Sequence, residues 1–377
     1  MASRYPHPLV SYQPFKTFFQ LAYIGSIIAR LPLWLAASLF PFLRPHRSWT
    51  FKQTLMTRAA YVSLDMTSLL GITEPLSIPK DKKESRFQVI EPSGLDLYKG
   101  PLVSEYTKPA VTGGTWFPQA PGKDISTKLV VLYLHGGAFV QGDGREKFSG
   151  FLCNTFIQKG GVDALLSVQY RLSGYSNRKH IPATNPFPAA LQDALTSYLY
   201  LLNELRIPRD QIILAGDSAG GNLAIALLRY IHEFGAELDI PLPRCVVLFS
   251  PWTAPFDYEV GKHDNFATDF LPVSFLKWGA RTYGAGVDNA GKHKYITPLG
   301  NPFTTTVPVF VSYGTREVLA SNITRWAREM MDHGGNTVQV YREVDACHDT
   351  ALLGGTLGFE DSARRVFDHV AGFIQKV

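Results

Sequence analysis

Three textures of hydrophobic and polar positions follow one another along the chain. From Met1 to about Thr73 the residues are apolar and helical in spacing. Between Thr17 and Leu43 the only charge is Arg30, and leucines and aromatics are dense around it. Arg30 and Pro32 divide this block into two apolar pieces, each shorter than the ~20 residues a spanning helix needs. An Arg inside a span with a Pro beside it is costly. The block therefore reads as a pair of core or lid helices, or as a monotopic helix lying on a membrane surface. A span or signal peptide is the third reading; Arg4 and Lys16 precede the block, but no convincing cleavage site follows. Glu74 to Asp96, rich in Pro, Lys, Asp and Glu, reads as a linker.

From about Leu97 short apolar runs alternate with helical patterns. Leu129 to Leu134 is a continuous apolar run and predicts a buried central strand. Further strands are predicted at Ala164–Tyr170, Gln211–Ala215, Val246–Phe249, Val307–Val311 and Val338–Tyr341. Helices are predicted at Pro188–Leu205, Ala219–Glu233 and Asp361–Gln375. Strands alternating with helices imply right-handed crossovers and a mostly parallel sheet covered on both faces. The aromatic-rich segment from Ala254 to Gly286 breaks this rhythm, as either a packed connection or a lid helix. The expected division is a helical lid or membrane-associated segment over 1–80 and an α/β core over 81–377, with a lid insertion at about 254–286.

Composition narrows the function classes. Of 377 residues, 45% are hydrophobic and 18% charged, which suits a large core rather than a disordered chain. The net charge of +5 is scattered, with no basic stripe interleaved with aromatics, so no nucleic-acid partner is expected. Cys153, Cys245 and Cys347 are far apart and odd in number, which argues against a disulfide framework and a thiolate zinc site. No metal and no cofactor is expected. A reducing compartment is the simplest setting, either cytoplasmic or membrane-associated, the endoplasmic reticulum included. Asn322-Ile-Thr324 fits a glycosylation triplet but lies in an expected helix.

Gly216-Asp217-Ser218-Ala219-Gly220 fits Gly-x-Ser-x-Gly, and it sits between an apolar strand and a helix, the context that pattern requires. The tight strand-to-helix turn needs small flanking residues and places the Ser218 hydroxyl at a helix N-terminus, where developing negative charge is favoured. Upstream, His135-Gly136-Gly137-Ala138-Phe139 follows a strand. Small residues there let backbone N–H groups approach an oxyanion, so Gly137, Ala138 and Ala219 are the expected donors, with Gly136 as an alternative. His135 reads as structural. A serine nucleophile needs a base and the base an orienting acid. His348 follows the strand Val338–Tyr341 and is the expected base; His333, His369, His293 and His263 lack that setting. Glu317, after the strand Val307–Val311, is the expected acid, with Asp345 and Asp349 as less suitable alternatives. Phe139, Asp217 and Trp252 are expected to contact substrate.

With these residues in place, the chain resembles the hormone-sensitive-lipase-like α/β-hydrolases, the bacterial family IV esterases. The matching segments are His135–Phe139, Gln169–Leu172, Phe187–Ala194, Gly216–Asn222 and Ser250–Trp252. The N-terminal Arg44-Pro45-His46-Arg47-Ser48-Trp49-Thr50 looks like fungal members of the group. The resemblance implies an α/β-hydrolase fold with a helical lid from the N-terminal helices and the insertion after Trp252, and a cofactor-free carboxylesterase or lipase activity. The chain departs from the group at Ala138, where a third glycine is usual, at Glu317, where Asp is usual, and in a longer Ser173–Asn185 segment at the expected pocket rim. The aromatic lid suggests an uncharged, apolar ester: a lipid, a steryl ester or an acylated secondary metabolite. Two alternatives stay open: thioester release, acyl transfer or condensation in a biosynthetic pathway, and a non-catalytic receptor like the plant gibberellin receptors. The expected partners are the ester and, through residues 17–43, a membrane surface; a homodimer is left open.

Overall fold

The computed structural model describes residues 7–78, 84–176 and 183–377. Eight strands form one sheet among these residues: β1 Phe87–Ile90, β2 Thr112–Phe117, β3 Val130–Leu134, β4 Ala164–Val168, β5 Ile212–Asp217, β6 Cys245–Phe249, β7 Val309–Gly314 and β8 Val338–Glu343. Their spatial order is β1-β2-β4-β3-β5-β6-β7-β8. β1–β2 and β2–β4 pair antiparallel and every other pairing is parallel. The continuous apolar runs are the parallel strands. Every residue of β3, β4, β5 and β6 is buried, as expected of strands covered on both faces.

Helices α3 Glu146–Lys159 and α9 Glu360–Ile374 cover one face, where Phe156, Phe367 and Phe373 pack on Val247, Phe249 and Phe310. Helices α4 Ala189–Leu199 and α5 Ser218–Leu238 cover the other. In a parallel sheet the carboxyl ends of the strands open toward one edge, so β3, β5, β7 and β8 deliver their following loops to a common place.

A helical cap lies there. α1 Phe15–Leu39 packs against α2 Phe51–Leu70, and α2 packs in turn on α6 Val273–Tyr283 and α8 Thr350–Leu357. α2 starts on a capping box, with the Thr50 hydroxyl accepting from Gln53 N–H and the Gln53 side chain accepting from Thr50 N–H. Gly71 ends it at φ +63°. Tyr61 of α2 meets Phe266 edge-on at 5.8 Å, and Ser274 donates to Asp65 at 2.6 Å. The cap is thus built from the N-terminal helices and the insertion together. α7 Ala320–Asp332 completes the helices used below.

Two expectations need correction. Arg30 and Pro32 do not break the apolar block: α1 runs through both as one 25-residue helix. Proline removes a single N–H donor, which the remaining turns tolerate. The stretch expected to be a linker contains β1, an edge strand whose mixed composition hid it. The insertion is not a plain connection, since it contains α6. Of the longer Ser173–Asn185 segment, residues 177–182 lie outside the described residues; Gly174 and Thr184 bridge its base. Asn322 is buried in α7 and donates to Asp257, which leaves no room for a glycan.

Candidate active site

β5 runs straight into α5, and Ser218 sits at their junction with φ +49°. That conformation is strained for a residue with a side chain, and the neighbouring glycines make it attainable. A Cβ at Gly220 would collide with the Leu134 and His135 carbonyl oxygens, and one at Gly216 with the Gly220 carbonyl. The turn can therefore be this tight only with glycine at both places. Ser218 begins α5, next to free N–H groups of the first turn and the positive end of the helix dipole.

The loop after β3 comes alongside. Gly137, Ala138 and Phe139 all have positive φ, at +106°, +53° and +63°. Gly136 N–H donates to Asp217 Oδ1 at 2.8 Å, and Tyr133 Oη–H donates to the same oxygen at 2.5 Å. Asp217 thereby ties the loop to the serine turn. This corrects Gly136 as a donor, because its N–H is already engaged. The N–H groups of Gly137 and Ala138 have no partner among the described residues. His135 is buried, stacks on Tyr170 at 4.2 Å and bonds the Gly136 carbonyl, a structural placement.

His348 follows β8 and is buried. Its Nδ1 lies 3.5 Å from Glu317 Oε2, an ion-pair distance longer than a good hydrogen bond. Glu317 Oε2 also accepts from Ser250 Oγ at 2.6 Å and from Gly314 N–H at 3.2 Å. Burial alone would depress the His348 pKa, but the carboxylates of Glu317, Asp269 and Asp217 outweigh it and hold it above the ordinary histidine value.

Asp269 was not legible in the sequence. It lies in the insertion, 79 residues before His348, and accepts from the N–H groups of His348 (3.2 Å), Val318 (2.7 Å) and Phe270 (2.8 Å). Burial raises its pKa to about 7, against the pull of His348. Its only local signal was being the lone charge in Phe266–Pro272. Asp349 is no orienting acid: its side chain caps α8 at Leu352 N–H and faces Asp217. Burial and the Asp217 charge push its pKa well above the ordinary carboxylate range. Asp345 is drawn away by His46 and Arg316.

Ser218, His348, Asp217 and Gly137 line one cavity of about 210 Å³. Its other walls are mainly apolar, with Leu64 of α2, Phe270, Leu271 and Phe275 of the insertion, and Leu352 and Leu353 of α8. Phe139 and Trp252 are corrected here: neither lines this cavity. Phe139 turns into the core and stacks on Tyr283 at 3.6 Å, and Trp252 is buried beside it. Among the described residues no cluster of three or more metal-ligating side chains is present.

A family model for the alpha/beta hydrolase fold matches residues 131–352, more than half of the chain. An acetyl-hydrolase of Streptomyces hygroscopicus is 30% identical over 261 residues, covering 68% of this chain and 76% of that protein. Esterase LipI of Mycobacterium tuberculosis is 34% identical over 247 residues, covering 64% of this chain and 71% of its own length. A solved hormone-sensitive lipase from a metagenome library superposes with a TM-score of 0.56 at 24% identity, over 70% of this chain and 82% of that one. The eight-stranded sheet, the glycine-flanked Ser218 and these matches agree, and the chain belongs to the alpha/beta-hydrolase family.

Proposed function

We propose that the protein hydrolyses carboxylic esters that are uncharged and apolar, through a Ser218–His348–Glu317 triad. The observation that carries this reading is the strained Ser218 at the start of α5, sharing a cavity with the His348–Glu317 pair. Because Nδ1 of His348 faces Glu317, its Nε2 is the atom left to take the Ser218 proton. Ser218 Oγ attacks the ester carbonyl, and the N–H groups of Gly137, Ala138 and Ala219 hold the oxyanion. Glu317 keeps the imidazole oriented and stabilises its charged form. The proton passes to the departing alcohol. Water, deprotonated by His348, then releases the acid and restores Ser218.

The cavity supports the substrate class. No Lys or Arg lines it, so nothing there would hold an acidic ester. At about 210 Å³ it is below the ~300–1,000 Å³ of drug-sized ligand sites, which suits a short acyl group. The names of the acetyl-hydrolase and esterase relatives point the same way. A larger cavity of about 550 Å³ shares Gln141 and Phe148 with it, and its Lys16, Glu74, Asp143 and Lys147 suit a polar leaving alcohol.

Labelling with a fluorophosphonate, read by intact mass and peptide mapping, tests the nucleophile. One adduct on Ser218, lost in Ser218→Ala, is expected. Unchanged turnover of p-nitrophenyl acetate by Ser218→Ala would sink the triad. A chain-length series should fall off beyond short acyl groups, and a preference for long chains would overturn the substrate assignment.

A further inference from the structure

In a surface helix of a globular protein the apolar stripe faces the core. In α1 it faces outward. Leu21, Ile24, Ile28, Leu31, Leu35 and Leu39 follow one another at intervals of three and four, which places them on one side of the helix. All six are exposed, Leu21 and Ile28 to 64%. Beyond them the exposed surface continues through Phe40, Phe42 and Leu43. The less exposed side is mixed, with Phe19, Ile27 and Trp34 beside polar groups: Tyr23 donates to Asp65 of α2 at 2.7 Å, and Arg30 bonds Ser26 and lies over Trp34. An apolar face this long exceeds what a soluble monomer ordinarily leaves in water.

We propose that this face of α1 seats the protein in the plane of an anionic lipid bilayer, and that the ester reaches Ser218 from that bilayer. The delivery step rests on the ester-hydrolase reading; the membrane contact does not. Three observations select a lipid surface as the occupant. The first 64 residues contain seven Lys and Arg and no Asp or Glu, so the segment suits anionic headgroups. By length and composition alone α1 could cross a membrane, but its Tyr23–Asp65 bond and its packing on the charged α2 would carry Asp65 and Arg58 into hydrocarbon. An in-plane helix keeps α2 on the protein body and buries only the outward stripe. Finally, Lys16 and Gln20 of α1 line the 550 Å³ cavity, whose walls share Gln141 and Phe148 with the catalytic one. An ester arriving from the lipid would enter beside α1, one shared wall away from the nucleophile.

The experiment is co-sedimentation of the full chain with phosphatidylcholine vesicles, with and without phosphatidylserine. Binding is expected, stronger with phosphatidylserine and weakened by salt. Ile28→Glu with Leu35→Glu should weaken it at least about tenfold, since each removes an apolar side chain from the lipid contact. Those substitutions are at exposed positions, so turnover of p-nitrophenyl acetate in solution should stay unchanged, while turnover of an ester dissolved in the vesicles falls. Release of the bound protein by alkaline carbonate is expected; retention, as for a spanning helix, overturns the in-plane placement. Absence of vesicle binding, or binding indifferent to the two glutamates, overturns the membrane contact. A dimer in light scattering that the glutamates convert to monomer assigns the face to a second copy and overturns it too. Ser218→Ala should bind vesicles like the parent chain, which separates failure of docking from failure of catalysis.

Discussion

Glu317 reaches His348 with an oxygen it shares between Ser250, Gly314 and the imidazole, so its position is over-determined while its charge is not. Glu317→Gln keeps the shape and removes the charge. The rate should fall by roughly 10²–10⁴-fold, because the charged imidazole loses its stabilising partner. The pH profile separates this from a misplaced side chain. His348 works as a base only when neutral, so kcat/KM falls as pH drops below its pKa. Glu317 is among the groups that raise that pKa against burial. Without its charge the acidic limb should move to lower pH, and a limb that stays in place or rises would contradict the electrostatic role. Glu317 and His348 were legible because each follows a strand that the apolar pattern already marked. Asp269 was not, since its partners approach only when the insertion folds over the loops after β7 and β8. Phe139 and Trp252 were misjudged because nearness in sequence to the oxyanion loop and to Ser250 says nothing about which way a ring turns.

The β5–α5 element shows how local backbone rules set the site. Gly220→Ala puts a methyl group into the Leu134 and His135 carbonyls. Overpacking of a rigid turn costs about 3 kcal/mol, so a clear drop in melting temperature is expected by scanning calorimetry. Gly25 in α1 is the contrast. A Cβ there meets nothing within 4 Å, and an exposed helical glycine is worse than alanine by roughly 0.5–1 kcal/mol. Gly25→Ala should stabilise α1 slightly, and equal losses at both positions would mean that the turn is not as tight as described. The same contrast explains what the sequence revealed of the fold. Buried parallel strands are continuous apolar runs and were found. β1 and β2 were not, because β1 is an edge strand with partly exposed residues and β2 begins Thr112-Gly113-Gly114, a weak strand pattern. α1 was divided because Pro32 and Arg30 are ordinary helix breakers and core intruders, and neither matters on a helix that the rest of the chain leaves largely unburied.

Across the molecule, stability and activity should respond to pH in opposite directions. Asp269 and Glu343 are buried with pKa values raised to about 7, and burial with the Asp217 charge raises that of Asp349 well above the ordinary carboxylate value. An acid with a raised pKa binds its proton more tightly when folded. Its stabilising contribution is complete below the ordinary carboxylate range and is lost as pH rises through the folded value. His348, also raised, loses its contribution above about 6.5, the ordinary histidine value. His135 and His293 act against this, since burial depresses both; their contribution is gained as pH rises, but it is complete once pH passes about 6.5. Above that point only the losses remain. The melting temperature should therefore fall between pH 6.5 and 8, while neutral His348 makes catalysis faster over the same interval. Asp349→Asn tests one of these contributors. The amide keeps an N–H to offer Asp217 and cannot ionise, so the variant should stay active and lose less stability between those two pH values than the parent chain. Differential scanning fluorimetry at pH 6.5 and 8 reads the difference. An equal slope in variant and parent would show that Asp349 does not titrate with a raised pKa in the folded protein.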